Sequence, residues 1–265
     1  MSTERHSSYI GQYSEADLEE FIRRNYGHSV SMLGKSKTLI KFGSNNDVAT
    51  SLEDVNNVGG VESLPTDNLI THIASANAGD THSMVIEGHT IDGSGNLTFV
   101  VQSVNLAGQT KTALPTPLAR ATRAYNDAST SLAGIVYVAR DVTFTAGVPA
   151  SDIHLKVDLG YEQSQKCSTS VSQSDYWAIT QLSASVRRQQ TRKVDFYVQI
   201  REQGKVWRTR FHPLTVSDTS GTISIHTEIP FIIRPNSDVR VQAVSSGTAT
   251  EVGAALFGTL LKILN

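Results

Sequence analysis

Asp195-Phe196-Tyr197-Val198-Gln199-Ile200-Arg201-Glu202 is followed by Gln203-Gly204-Lys205 and then by Val206-Trp207-Arg208-Thr209-Arg210-Phe211. Apolar and polar residues alternate with period two on both sides of a short Gly-containing loop, which is the signature of a β-hairpin. Trp207 is expected to face inward, with Arg208 and Arg210 outward. The same alternation extends in both directions. Ile153–Tyr161, Tyr176–Val186, Gly221–Ile233, Val239–Val244 and Thr250–Leu264 read as strands, with a strong turn at Arg234-Pro235-Asn236-Ser237-Asp238. So many strands in so short a stretch leave no room for helices and predict a jelly-roll-like two-sheet sandwich over residues 150–265.

Upstream, Thr38–Phe42, Asp67–Ala74, Ser83–Ile91, Leu97–Val104, Thr110–Leu114, Leu118–Asn126 and Gly134–Arg140 form a second series. Asp92-Gly93-Ser94-Gly95-Asn96 joins two of them as a hairpin loop. Pro115 and Pro117 bar a central strand at that point. Strands spaced by about ten residues with turns between them point to a sandwich over residues 36–145. Thr145-Ala146-Gly147-Val148-Pro149 marks the expected boundary. The fold class is therefore mainly β, with two β-sandwich domains, the second jelly-roll-like.

Residues 1–35 differ and read as an N-terminal arm. Ser14 is a helix N-cap, Glu15, Asp17, Glu19 and Glu20 suit the first turns, Arg23 and Arg24 the last, and Gly27 the stop. This short N-terminal helix carries an apolar stripe of Leu18, Phe21 and Ile22. A helix so short needs a surface to pack on. That surface is either its own domain or a neighbouring subunit.

Bulk composition narrows the function. Charged residues make up 18% of the 265, below the roughly 25% usual for globular chains, and the formal net charge is −2. Neither nucleic acid nor an anionic membrane is an expected partner at that balance. The polar start Met1–Gly11 is not a signal peptide, and Val252–Leu264 is too short and too interrupted to span a bilayer as a helix. A chain made and kept in a cytoplasm, or assembled there, is expected. The single cysteine, Cys167, excludes an intrachain disulfide.

No chemistry-bearing motif emerges. His72, His82 and His89 match neither a one-turn helical zinc pattern nor a zinc-finger pair. The Asp92–Asn96 loop lacks the closing Glu of a calcium loop. Gly93-Ser94-Gly95 is a turn rather than a nucleophile elbow, and no phosphate-cradling glycine loop opens a helix. The expectation is a non-enzymatic protein with no catalytic residue, cofactor or metal. Arg187, Arg188, Arg192 and Lys193 form one basic cluster, read as a polar loop that is either a solvated tip or a contact for an acidic partner.

Two stretches resemble virion proteins of tailed bacteriophages, of the marine and cyanophage type. One runs from Met84-Val85-Ile86-Glu87-Gly88 through Asn105–Thr110 to Leu118-Ala119-Arg120-Ala121-Thr122-Arg123-Ala124-Tyr125. The other joins Tyr176–Thr180, Phe196–Arg201, Val206-Trp207-Arg208 and Ser237–Val241. Together they cover about three quarters of the chain, and the Ser164–Ser174 segment is more polar than the pattern. The resemblance implies a structural virion component, as capsid decoration or cement or as a neck- or tail-associated part. Such a protein acts through symmetric contacts with itself and with other virion proteins, and it transfers no catalytic or metal-binding residue. Candidate partner-binding residues are Leu18, Phe21, Ile22, Arg187, Arg188 and Arg192. The alternatives are a carbohydrate- or receptor-binding module of a tail fibre, stacking on Tyr176, Trp177, Tyr197 or Trp207, and a hydrolase with scattered acidic residues.

Overall fold

A computed structural model describes residues 33–210, 213–247 and 250–263. Strands and turns make up the described residues, with no helix among them. The N-terminal helix expected over Ser14–Gly27, with Leu18, Phe21 and Ile22, lies outside them.

The chain opens with β1 (Leu33–Val48) and β2 (Glu53–Asp54), then β3 (Ile70–Ser75), β4 (Ser83–Ile91), β5 (Leu97–Asn105), β6 (Thr112–Leu118), β7 (Arg120–Asn126) and β8 (Val136–Arg140). After the short β9 (Phe144–Thr145) and β10 (Val148–Pro149) come β11 (Ile153–Val157), β12 (Ser168–Val171) and β13 (Asp175–Glu202). It closes with β14 (Arg208–Thr209), β15 (Leu214–Ile233), β16 (Ser237–Ser245) and β17 (Thr250–Ile263).

The first sandwich packs a four-stranded sheet, β11-β8-β3-β6, on a three-stranded one, β5-β4-β7. Inward positions supply its core, with Ile70, Ile73, Met84, Ile86, Leu118, Leu155 and Val157 fully buried. β6, with its two prolines, lies at a sheet edge, as a strand that cannot donate at those positions must.

The second body is one eight-stranded sheet organised by β13. Along one side of β13, β17 pairs from Asp175↔Lys262 to Arg187↔Glu251, and β16 takes over from Val194↔Ser245 to Glu202↔Ser237. Along the other side β15 pairs both halves, with a register shift between Arg187↔Ser220 and Arg192↔Asp218. The sheet folds over at that irregularity. Gly43 of β1, which pairs only with β17, lies against the backbone just after β2 and just before β12, from the opposite half; a Cβ there would stand 2.3 Å from Cys167 N and from Val55 O. Trp177, Ile179, Val186, Phe196, Val198, Val241 and Leu256 share one buried core. The result is a sandwich made from one sheet, with both halves of β13 in it.

Three sequence expectations change. The basic stretch Arg187–Lys193 is not a loop between two strands but the bent middle of a single strand, because β15 keeps pairing on both sides of the shift. Thr145–Pro149 is not a boundary but the tight hairpin β9–β10, with Ala146 and Gly147 at positive φ. Turn residues look alike at a hairpin tip and in a linker. The strands also sort differently from a division at 145–150. β11 pairs β8 in the first sandwich, whereas β1 and β2 belong to the second sheet. The hairpin at Gln203-Gly204-Lys205 is present, with Gly204 at φ 71° and Lys205 N donating to Glu202 O, although only Gln199↔Thr209 and Ile200↔Arg208 pair.

Candidate functional site: a buried ionic seam between the sandwiches

The two sandwiches meet along the outer side of β16, β12 and β2, which packs on β7 and the segment before β3. The groups that cross this seam are charged. Arg120, at the start of β7, is 3% exposed and makes a two-pronged contact with Asp238 of β16, Nε to Oδ1 at 2.9 Å and Nη2 to Oδ2 at 3.2 Å. Its Nη1 donates to the carbonyls of Pro65 and Ala119, so every face of the guanidinium is used. Asp238 also accepts from Ser170 Oγ at 2.6 Å and from Arg201 Nη2 at 2.6 Å. Burial alone would raise the Asp238 carboxyl, but Arg120 beside it and the hydroxyl of Ser170 hold it below the ordinary carboxylate range.

A second cluster lies alongside. Lys166 Nζ donates to Glu62 Oε1 at 2.6 Å, to Ala121 O at 2.8 Å and to His154 O at 3.3 Å, which uses its three hydrogens. His154 Nδ1 stands 3.1 Å from the same Glu62 oxygen. Burial works to raise Glu62, and Lys166 and His154 more than reverse it, leaving the carboxyl lowered. Asp54 of β2 accepts from Gln242 at 2.8 Å and from the Glu62 amide at 2.7 Å, with Arg240 at 3.5 Å. Here burial prevails and the carboxyl is raised. Trp207 borders the seam between two guanidinium groups, 4.8 Å from Arg201 and 4.0 Å from Arg240. Backbone stitches add to it, including Ser164 N to Ala124 O and Gln173 N to Leu97 O, both at 2.8 Å.

Of the expected contact residues, Arg187 is the one whose side chain is described, and it stands outside the seam. Arg187 is 80% exposed with Glu251 at 4.0 Å, a surface pair of little energetic weight. The side chains of Arg188 and Arg192, with Leu18, Phe21 and Ile22, lie outside the described residues. Of the aromatics considered for sugar stacking, Tyr176 and Trp177 are buried and Trp207 is covered by arginines on the seam. Cys167 is fully buried, which pushes its thiol up to about 12. His72, His82 and His89 converge on no metal site, and no group of metal-ligating side chains occurs among the described residues. His89 is nevertheless unusual. It is 3% exposed, its Nδ1 has no hydrogen-bond partner, and burial drives its pKa down to about 3.

Sequence reading missed Arg120, Lys166 and Asp238 as seam residues because charges are assigned to solvent by default. A signal was present: Arg120 stands in Leu118-Ala119-Arg120-Ala121, where small apolar neighbours leave room for close packing.

No family model matches the chain, and no curated protein matches it. Among solved structures, it is similar to that of the infectious bursal disease virus Gx strain, at 9% identity over 88% of this chain and 77% of that one, with a TM-score of 0.21. It is likewise similar to the VP2 subviral particle of infectious bursal disease virus, at 9% identity over 88% and 78%, with a TM-score of 0.20. Superpositions that loose define neither a shared strand order nor a shared activity.

Proposed function

We propose that this chain is a structural subunit of a virion, working by shape through repeated contacts with copies of itself and with other virion proteins. The finer reading is a tailed phage, with the protein as capsid decoration or cement or in the neck or tail, assembled in the host cytoplasm. The observation that supports it most is the seam. Two sandwiches joined by buried, directional ion pairs make one block whose outer faces keep fixed angles, as subunits repeated by symmetry require. Exposed apolar side chains on that block, among them Phe99 and Val101 of β5, Leu159, Tyr161 and Val206, supply contact points. The reading is of a binding protein rather than an enzyme, engaging neither nucleic acid nor membrane.

Sedimentation velocity on the full chain across a hundredfold concentration range, with mass spectrometry of purified particles, tests this. A defined homo-oligomer and the polypeptide in particles are expected. A strict monomer at every concentration, absent from particles, refutes it. Saturable binding on a glycan array would favour the carbohydrate-binding alternative instead.

A further inference from the structure

A cleft of about 730 Å³ opens where β1 and the end of β17 face β4, β5 and the Ser170–Asp175 segment. Its size lies within the range of about 300–1,000 Å³ typical of small-ligand sites. Leu39, Phe99 and Leu260 form an apolar wall backed by the buried Leu97, and Lys37, Lys41, His89 and Lys262 are the basic groups.

Two of these groups are built in but not satisfied. Lys41 is only 6% exposed, and its ammonium, with three hydrogens to donate, has one acceptor, the carbonyl of Thr122 at 3.0 Å. His89, neutral at its depressed pKa, meets Phe99 edge-to-face at 5.3 Å and leaves Nδ1 without a partner. Two acids share the lining with three lysines: Glu87 pairs with Arg123 at 3.4 Å and also attracts Lys41, and Asp175 is countered by Lys262. An excess of positive charge and unused donors therefore remains beside an apolar wall. Buried donors left unmade are costly, and native structures rarely leave them so.

We propose that this cleft binds an organic monocarboxylate with an aromatic or branched apolar body, its carboxylate on Lys41 Nζ and its body against Leu39, Phe99 and Leu260. Water could satisfy the ammonium but not cover the wall. A phosphate dianion brings more charge and more acceptor oxygens than one buried ammonium can meet. The carboxylate comes either from a free acid or from a Glu or Asp side chain of another polypeptide. The assignment does not depend on the assembly reading above.

The test is calorimetric titration of the full chain with 4-phenylbutyrate, with 4-phenylbutan-1-ol, and with an acetylated, amidated Glu-Phe dipeptide. Saturable one-site binding of the acid or the dipeptide is expected, and whichever binds tighter identifies the source. The alcohol, and the Lys41→Met variant with the acid, should bind at least about tenfold more weakly, the weight of one charge-assisted hydrogen bond. Phe99→Ala removes a 43% exposed ring without touching the core and should also weaken binding.

Protons give a separate readout. Lys41 is lowered to about 8 by burial, with Glu87 opposing and Lys166 and Arg123 reinforcing that shift, and Cys167 and His89 also nearby. A bound carboxylate restores its proton, so heats at pH 8.5 depend on the buffer while those at pH 6.5 do not. The assignment is overturned by absence of saturable binding of both ligands at millimolar concentration, or by equal binding of the alcohol. It is also overturned if folded Lys41→Met and Phe99→Ala bind as the parent does.

Discussion

Replacing Asp238 with Asn changes one oxygen to an amide nitrogen and removes one charge from the seam. The side chain is 1% exposed and receives Arg120, Arg201 and Ser170. After the change the Arg120 guanidinium remains 3% exposed, with two backbone carbonyls but no counter-charge. Breaking a buried pair by removing one partner costs about 3–5 kcal/mol, a large part of a total stability of about 5–15 kcal/mol. At about 2–4 °C per kcal/mol for a chain of this size, the melting temperature should fall by about 6–20 °C.

Differential scanning calorimetry with urea denaturation measures the loss, and a double variant identifies its origin. Arg120→Leu with Asp238→Leu removes both charges together, and most of the lost stability should return, because apolar replacements of a whole buried pair are often neutral. Arg201, 20% exposed at its side chain, can turn to water. Raising salt from 0.05 to 0.5 M should change the Asp238→Asn difference little, since buried charges are poorly screened. A loss under about 1 kcal/mol for Asp238→Asn would refute the claim that this pair carries the seam.

Three further outcomes follow from other parts of the molecule. Acid should unfold the protein through Glu62 and Asp238: both are lowered in the fold, so their contribution is complete above the unfolded carboxylate range and is lost as pH falls through their folded values. Asp54 is raised and has the opposite sign, so Asp54→Asn should stay within about 1 kcal/mol of the parent at pH 7 in the same urea assay. Gly43→Ala should cost about 1–3 kcal/mol, since its methyl meets the backbone of Val55, Lys166 and Cys167; parent-like stability would show that the eight-stranded sheet does not close on itself there. Cys167 should resist an aromatic disulfide reagent at pH 8 until denaturant is added, and fast labelling of the native chain would contradict its burial.

What could be read in the sequence was whatever alternates against one dry and one wet face. β17 and the Val194–Ile200 half of β13 show that alternation, and the turns at Asp92–Asn96 and Gln203–Lys205 fall where the strands end. β12 could not be read. Ser168-Thr169-Ser170-Val171 carries loop-like residues because its outer side meets the other sandwich, not water, and Ser170 is there to bond Asp238. The sheet fold-over was hidden for a related reason. Arg187 and Lys193 stand exposed at the two ends of the register shift in β13, and a polar stretch inside a strand has the composition of a loop. The Arg120 and Arg123 pair noted in the resemblance divides by environment: Arg120 enters the seam, while Arg123 reaches Glu87 and lies 4.5 Å over Tyr125.

The chemistry of the seam also bears on how the block holds its shape. Two apolar sheet faces brought together would gain roughly the same burial energy over a range of rotations, because that energy follows area and has no direction. A guanidinium gripping a carboxylate with two parallel bonds tolerates little rotation, and a Lys with all three hydrogens placed adds to that restraint. Arg120–Asp238 and Lys166–Glu62 therefore fix the angle between the sandwiches at some cost in desolvation, which apolar contacts would have avoided. That cost has a use only where the angle matters. The apolar side chains that face outward lie on both bodies, Phe99 and Val101 on the first and Ile40 and Val206 on the second, so any contact spanning both depends on the seam being right. The Arg120→Leu/Asp238→Leu double variant separates the two roles: it should keep its stability yet lose the defined oligomer that the proposed function expects in sedimentation. A double variant that assembles like the parent would mean that the angle is set by the backbone stitches at Ser164 and Gln173 instead.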